Sequence, residues 1–206
     1  MHARSTTVMG QPGMIETGIA HVQDVVMPQV RAMEGCVGLS LLADRTSGRC
    51  IVTTAWRDDE AMRATTDAVK KMRSDAAALM GGEATVDEWE VAYLHRDHRA
   101  ADGACARVTW SESDPAAIDR VLDAFKMGIM PRVEQLEGFC SASLFIDRES
   151  GRACVTATYD SEQAMAVTRD AAMGLRADLA QETGTRIMDV AEFSLAIAHL
   201  DVPELV

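Results

Sequence analysis

One segment of this chain occurs twice, and the two copies lie half a chain length apart. The first copy runs from Glu34 to Trp56 (EGCVGLSLLADRTSGRCIVTTAW), and the second runs from Glu137 to Tyr159 (EGFCSASLFIDRESGRACVTATY). A period this long indicates a duplicated domain and not a solenoid of short repeats. We therefore predict two domains, residues 1–98 and residues 104–206, joined by a polar linker at residues 99–103 (RAADG).

Each half is predicted to follow the order strand, helix, strand, strand, helix, strand. In the first half the strands include Ala3–Met9 and Val86–His95, a hairpin turns at Asp44–Gly48, and the second helix begins after Asp58. This order is the ferredoxin-like βαββαβ unit. Its helices cover one face of the sheet, and the other face must be buried as well. We predict an α+β fold in which the two antiparallel sheets pack into an intrachain pseudo-dimeric α+β barrel.

Charge and composition exclude several classes of partner. The formal charge is −12 and the pI about 4.8, so the chain is not expected to bind nucleic acid or an anionic membrane. No apolar run approaches the roughly 20 residues of a membrane span, and the first residues lack the apolar centre of a signal peptide. Five cysteines without CxxC spacing indicate thiols in a reducing cytoplasm.

Three short motifs resemble the antibiotic-biosynthesis-monooxygenase (ABM) domain. They are E-G-C-x-G-x-x-L-L-x-D at Glu34–Asp44, I-V-T-T-x-W at Ile51–Trp56 and D-x-E-A-M at Asp58–Met62. The resemblance extends to both halves of the chain and implies the dimeric α+β barrel fold. The family includes cofactor-free monooxygenases that act on aromatic polyketides, haem-degrading enzymes and many uncharacterised members.

The resemblance also locates residues that the family uses in catalysis. Trp56 matches the tryptophan that haem-degrading members pair with an iron-ligating histidine, but Thr65 stands at the histidine position. In the second half the same two positions hold Tyr159 and Thr168. The asparagine that family enzymes carry in the first strand is absent from both halves.

Nine residues are candidates for contact with a ligand between the sheet and the helices. Trp56 and Tyr159 end equivalent strands and are expected either to stack on a flat ligand or to close the core as apolar lids. Strand alternation places Trp89, Tyr93 and His95 on one face. The complete set is Trp56, Thr53, Trp89, Tyr93 and His95 in the first half, with Tyr159, Thr156, Phe193 and His199 in the second.

Several recurring polar residues allow a functional and a structural interpretation. His95 and His199 could act in acid–base chemistry or be structural, and Thr53 and Thr156 could bind a ligand or simply favour the strand. The recurring arginines, including Arg73 and its copy at position 176, could bind an acidic substrate or be solvated. No chelating spacing joins the histidines to other ligands, so no metal site is expected.

The sequence therefore predicts an ABM-like protein that binds a flat hydrophobic or aromatic small molecule. It would oxidise that molecule as a monooxygenase without a tightly bound cofactor. A non-catalytic binding or scaffold protein with a degenerate site is the alternative, and a haem-binding protein is a further one. The chain is expected to be cytoplasmic and to form a pseudo-dimer within itself, with further homodimerisation open.

Overall fold

The computed structural model describes residues 1–200 and residue 205. The chain forms two compact units. The first contains Met1–Trp89 and the end of the last strand from Leu195, and the second contains Glu90–Ser194 and Leu205. The predicted domain boundaries at residues 98 and 104, with the linker between them, were inferred from the repeat and stay a prediction.

Eight strands form one antiparallel sheet whose hydrogen-bonded order closes on itself. The strands in chain order are β1 (His2–Met9), β2 (Cys36–Asp44), β3 (Arg49–Trp56), β4 (Ala84–Arg96), β5 (Cys105–Glu112), β6 (Phe139–Asp147), β7 (Arg152–Tyr159) and β8 (Arg186–Leu200). Neighbours follow the order β1-β3-β2-β8-β5-β7-β6-β4. The first unit contains β1 to β3, the second contains β5 to β7, and β4 and β8 each contribute residues to both units.

The helices recur at equivalent places in the two halves. They are α1 (Ile15–His21), α2 (Met27–Arg31), α3 (Asp59–Ala64), α4 (Thr66–Leu79), α5 (Ile118–Ala124), α6 (Met130–Val133), α7 (Glu162–Val167) and α8 (Arg169–Thr183). With the strands they give two βαββαβ repeats, which confirms the predicted α+β fold class. None of the helices in the described part of the chain is long and apolar enough to cross a membrane.

Local chemistry explains where the helices bend and begin. A π-helical turn at Val22–Val26 lies before α2, and another at Phe125–Ile129 lies before α6. Both α2 and α6 carry a proline in their first turn, and proline has no N–H to donate to the preceding turn. Asp58 begins α3 by accepting a hydrogen bond from the Ala61 amide at 2.8 Å, as a helix N-cap does.

The apolar face of the first helical segment fills the core of each unit. Ile15, Ile19, Val22 and Val26 are buried in the first unit against β2, β3 and α4. The equivalent segment in the second unit buries Ile118, Phe125 and Ile129. The helices therefore lie on one face of each sheet, and the space between helix and sheet is where each unit has a cavity.

Candidate active site

Each unit contains a cavity between its sheet and its helices. The cavity of the second unit has a volume of about 660 Å³, including the space open to solvent at its mouth. Strands β5 and β7 contribute most of the sheet wall, and the π-helical turn at Phe125–Ile129, α6 and α8 form the helical wall. Its lining is mostly apolar and includes Phe125, Ile129, Val155 and Leu175. The polar groups are few, as is typical of small-molecule sites.

The first unit has a smaller cavity, about 540 Å³ on the same measure. Its lining positions are largely repeat-equivalents of the positions in the second cavity: Arg4 corresponds to Arg107, and Arg73 corresponds to Arg176. Thr54, however, is replaced by alanine at position 157. The duplicated sequence has therefore kept the cavity and its two arginines while changing other lining residues.

Arg107 is the buried cation of the second cavity, with 4% of its surface exposed. Its Nη2 atom lies 2.8 Å from Glu192 Oε1, and its Nη1 atom donates to Thr168 Oγ1 at 3.1 Å. Nη2 also donates to the Met165 carbonyl at 2.8 Å. That carbonyl, near the end of α7, also accepts from the Thr168 amide at 3.3 Å and from the Thr168 hydroxyl at 2.8 Å. The end of the short α7 thus presents the acceptor that holds the arginine.

Arg4 is held in the same way in the first unit. Its Nη2 donates to the Met62 carbonyl at 3.0 Å and to Thr66 Oγ1 at 2.9 Å, and it lies 2.7 Å from Glu88 Oε1. Thr65, which stands at the position of the family's iron-ligating histidine, donates its hydroxyl to the Met62 carbonyl at 2.8 Å. The break between α3 and α4 at Thr65 is therefore part of the arginine site.

A second arginine lines each cavity, and its surroundings differ from those of Arg4 and Arg107. Arg73 and Arg176 are each half-buried, and within the described part of the chain neither makes a hydrogen bond or an ion pair. Burial lowers the pKa of the Arg176 guanidinium, and the nearby charge of Arg107 lowers it further. Burial and then the charge of Arg4 lower the pKa of Arg73 in the same way. Among the described residues, neither cation is therefore balanced by a carboxylate of its own.

The carboxylate beside Arg107 is shared with another arginine at the surface. Glu192 lies 2.6 Å from Arg169 Nη2 as well as 2.8 Å from Arg107 Nη2. The hydrogen bonds from Arg169 and then from Arg107 lower the pKa of Glu192, and they outweigh the effect of its partial burial. The carboxylate is therefore charged at neutral pH and fixes the Arg107 guanidinium.

The two aromatic residues that end β3 and β7 lie differently with respect to their cavities. Tyr159 lines the second cavity, and the Arg107 guanidinium carbon lies 5.5 Å from its ring centroid. Trp56 is fully buried, at 0% exposure, and does not line the first cavity. Its Nε1 atom donates at 3.0 Å to Thr54 Oγ1, which does line it. Trp56 thus supports the wall of the cavity.

Four of the predicted residues lie on strand positions that do not line either cavity. Thr53 pairs with Ser5 in the sheet, and Trp89 donates its Nε1 to the Ser5 hydroxyl at 2.8 Å. Because β1 turns Arg4 toward the helices, alternation turns Ser5 to the other face. In the second unit, Thr156 pairs with Val108, and the Phe193 ring lies edge-on to Trp110 at 6.5 Å.

The predicted common face for Trp89, Tyr93 and His95 is wrong. A bulge between Val91 and Tyr93 shifts the register of β4, and a bulge redirects the side chains that follow it. Tyr93 packs edge-on against Phe125, with ring centroids 5.6 Å apart. Tyr93 and His95 belong to the second unit, which includes β4 from Glu90 onward, where the strand pairs with β6.

The two predicted histidines have separate surroundings. The His95 ring is stacked on Phe139 at 6.4 Å between centroids, and its Nε2 lies 3.6 Å from Glu134. His199 is partly buried near the end of β8, in the first unit. Neither histidine is among the residues that line the two cavities described above. Tyr159 therefore lines the second cavity, whereas His95 and His199 line neither of the two cavities.

Sequence reasoning missed Arg4 and Arg107 as site residues. Both occupy the second place in matching strand segments, ARSTTVM and ARVTWSE. In ARSTTVM the arginine is the only charged residue, and in ARVTWSE the only other one is the glutamate at the end. A lone arginine that recurs at the same place near the start of a half-buried strand was the available signal, because a buried charge needs a dedicated partner.

Comparison with known proteins agrees with this architecture. Residues 1–71 match the family model described as antibiotic biosynthesis monooxygenase. The uncharacterized protein Rv2557 of Mycobacterium tuberculosis H37Rv is 50% identical over 206 residues, covering 100% of this chain and 92% of that protein. No activity is attached to this relative by its name.

Two solved structures share the fold at low sequence identity. A proposed monooxygenase of Fusobacterium nucleatum superposes with a TM-score of 0.69 at 15% identity, over 98% of this chain and 94% of that one. An anthrone oxidase-like protein gives 0.65 at 13% identity, over 99% and 93%. Similarity at this level of identity establishes the shared fold alone.

Proposed function

Because the chain belongs to the antibiotic biosynthesis monooxygenase family, we propose that it binds a flat, largely apolar small molecule carrying an acidic group. The ligand would lie between sheet and helices in each cavity, with its acidic group at Arg176 in the second unit and at Arg73 in the first. The observation that carries this proposal is the half-buried Arg176 guanidinium, which no carboxylate pairs with in the described part of the chain.

The lining supports an aromatic ligand. Pockets for small molecules usually have apolar walls with a few polar groups. The second cavity has walls of this kind. Phe125 and Leu175 offer apolar surfaces on the helix side, and Tyr159 offers an aromatic face beside the guanidinium of Arg107.

Charge supports an acidic group on that ligand. Burial lowers the pKa of Arg176, as does the charge of Arg107, which means that the empty cavity disfavours the cation. A carboxylate or phenolate would relieve this cost and form a charge-assisted hydrogen bond, which is stronger than a neutral one. Arg107 is already paired with Glu192, so its positive charge would act on the acidic group as well, without the side chain having to move.

The same charge would assist an oxidation that needs no bound cofactor. An acidic phenol or enol reacts with dioxygen as its anion, and two neighbouring guanidinium groups favour that anion. In such a reaction a CH2 group becomes C=O: one oxygen atom enters the product and the other leaves as water with the two hydrogens. The substrate supplies all the electrons. The apolar walls would exclude bulk water during this step.

The binding proposal can be tested with two ligands of equal shape and different charge. Anthraquinone-2-carboxylate and anthraquinone-2-carboxamide are titrated calorimetrically into the wild type, Arg176→Met, Arg73→Met and a control, Arg99→Met. We expect the wild type to prefer the carboxylate, and Arg176→Met to lose about tenfold to 100-fold in affinity for it, since hydrogen bonds to charged groups contribute about 1.5–3 kcal/mol. The carboxamide should be affected far less, and Arg99→Met, which alters an exposed linker residue, should match the wild type.

Equal affinities for the two ligands in every variant would contradict the proposal. Oxygen consumption with anthrones and hydroquinones then separates an enzyme from a binding protein. Turnover that is lost in Arg176→Met supports the monooxygenase, and binding without oxygen uptake supports the non-catalytic alternative. Haem is included in the titration. Because Thr65 stands at the position of the iron-ligating histidine and its hydroxyl contacts the Met62 carbonyl, we expect no spectrum of haem ligated by a histidine at that position.

A further inference from the structure

Three potential metal ligands meet where β4, β6 and β7 come together in the second unit. His98 Nε2 lies 2.9 Å from Asp160 Oδ1, and Cys140 Sγ lies 3.2 Å from the same oxygen. One ligand atom from each of the three residues lies within 4.8 Å of the others. None of the three lines the second cavity, so the cluster is not part of the proposed ligand site.

The backbone brings these residues together before any ion binds. The amides of Asp97 and His98 both donate to the Cys140 carbonyl, at 2.9 and 3.3 Å, and the Asp160 amide donates to the Gly138 carbonyl at 2.8 Å. Each ligand residue is thus tied by its own main chain to a neighbouring strand. A site assembled on strand ends in this way costs little ordering entropy when an ion enters.

A β-bulge directs the cysteine into the cluster. The register between β6 and β7 shifts between Phe139 and Ser141, so that Cys140 is the additional residue. A bulge of this kind turns one side chain out of the regular alternation and is frequent beside functional sites. The Cys140 side chain is buried, while His98 and Asp160 are exposed and leave the cluster open to solvent on their side.

The histidine is oriented as metal-binding histidines usually are. Its Nδ1 atom lies 2.8 Å from Asp97 Oδ2, on the side of the ring away from Cys140 and Asp160. Histidines that bind a metal through one ring nitrogen commonly donate from the other to a carboxylate, which fixes the ring and raises its basicity. Asp97 can play this part while Nε2 faces the cluster.

We propose that His98 Nε2, Cys140 Sγ and the Asp160 carboxylate form a binding site for Zn²⁺, with a fourth position open to water. One nitrogen, one sulfur and one oxygen are the ligand types that zinc takes together. A thiolate and a carboxylate would neutralise the two charges of the ion. Zinc bond lengths of about 2.0–2.3 Å in a tetrahedron put neighbouring ligand atoms about 3.4–3.5 Å apart, so small side-chain shifts would suffice.

The first unit provides an internal comparison. It has the same register shift, between Cys36 and Gly38, but the position equivalent to Cys140 is Val37 and the position equivalent to Asp160 is Arg57. The bulge therefore belongs to the repeat, whereas the ligand set belongs to the second half. Among the described residues, His98, Cys140 and Asp160 are the one group of three such ligands that lie this close together.

The experiment titrates the full chain with Zn²⁺ by calorimetry and with Co²⁺ by visible absorption. We expect one ion per chain, and a Co²⁺ spectrum with tetrahedral d–d bands and a thiolate charge-transfer band. Cys140→Ser should remove the charge-transfer band, and His98→Gln should weaken Zn²⁺ binding by about 100-fold or more. Asp97→Asn, which removes only the carboxylate that orients the ring, should weaken it by about tenfold.

Cys154→Ser is the matched control, because Cys154 is another buried cysteine of the second unit and should leave both titrations unchanged. His98 is exposed, so His98→Gln should fold even if Cys140→Ser does not. Absence of binding at equimolar Zn²⁺, or a Co²⁺ charge-transfer band that survives in Cys140→Ser, would overturn the proposal. Unchanged Zn²⁺ affinity in a folded His98→Gln protein would overturn it as well.

Discussion

The Nη2 atom of Arg107 lies 2.8 Å from the Oε1 atom of Glu192, beneath a cavity with apolar walls. In the first unit, Arg4 and Glu88 form the equivalent pair at 2.7 Å. Burying an arginine is costly unless it is paired and hydrogen-bonded. Both copies of the repeat therefore have a buried, paired arginine beside their cavity.

The first prediction concerns the stability that this pair provides. Arg107→Met should lower the free energy of unfolding by about 3 kcal/mol, since removing one partner of a buried ion pair leaves the other without compensation. Glu192 keeps its contact with Arg169, which limits the loss. Urea unfolding measures it. Arg176→Met should change stability by less than about 0.5 kcal/mol, because no hydrogen bond or ion pair of the described residues is lost there.

The second prediction concerns acid stability. The contacts with Arg169 and Arg107 lower the pKa of Glu192, so its contribution is fully present above the ordinary glutamate pKa of about 4.3 and is lost as the pH falls through the lowered value. The wild type should therefore exceed Glu192→Gln in urea midpoint at pH 6, and the gap should close toward pH 3. A gap that is constant or widens with acid would show that Glu192 does not titrate in this way.

The third prediction concerns the tryptophan at the end of β3. Trp56 is fully buried and donates to Thr54, so Trp56→Ala should cost about 3–5 kcal/mol. Trp110→Ala, at a partly exposed position, should cost clearly less. Thermal and urea unfolding compare the two. If both variants lost the same small amount, Trp56 would not be a core residue of the first unit.

The fourth prediction compares two glycines with nearly the same backbone angle. Gly151 has φ 76° and Gly184 has φ 75°. A Cβ at Gly151 would lie 2.1 Å from the Ser113 carbonyl oxygen, while a Cβ at Gly184 would meet nothing within 4 Å. Gly184→Ala should therefore cost only the left-handed strain of about 1–2 kcal/mol, and Gly151→Ala should cost substantially more. Equal losses in urea unfolding would mean that the hairpin adapts to the added methyl group.

Much of the fold could be predicted from the sequence, because the two copies of the duplicated segment can be aligned with each other. Hairpin residues such as Asp44 and Gly48 occur twice in matching order, at Asp147 and Gly151 in the second copy, and local chemistry of this kind survives folding. The hairpin turn predicted at Asp44–Gly48 lies where β2 ends, at Asp44, and immediately before β3 begins, at Arg49. The bulge in β4 was not predictable in this way, because no glycine or proline marks it, and beyond it the Tyr93 ring packs against Phe125 on the helix side.

The site could be predicted less well, because residues that contact each other there lie far apart in the sequence. Arg4 contacts Glu88, 84 residues away, and Arg107 contacts Glu192, 85 residues away. Aromatic residues and histidines were predicted as site residues because of their chemistry. Arg4 and Arg107 were not predicted, because most arginines are solvated. Only the folded chain reveals that these two guanidinium groups are buried beside an apolar cavity.

The most direct test of the account is a crystal structure of the protein soaked with anthraquinone-2-carboxylate. We expect density in the second cavity, with the ring system against Phe125 and Leu175 and the carboxylate within hydrogen-bonding distance of the Arg176 guanidinium. The same soak of Arg176→Met should leave that cavity without the ligand. A ligand bound elsewhere on the chain, or bound in the cavity with its carboxylate directed away from Arg176, would contradict the central claim.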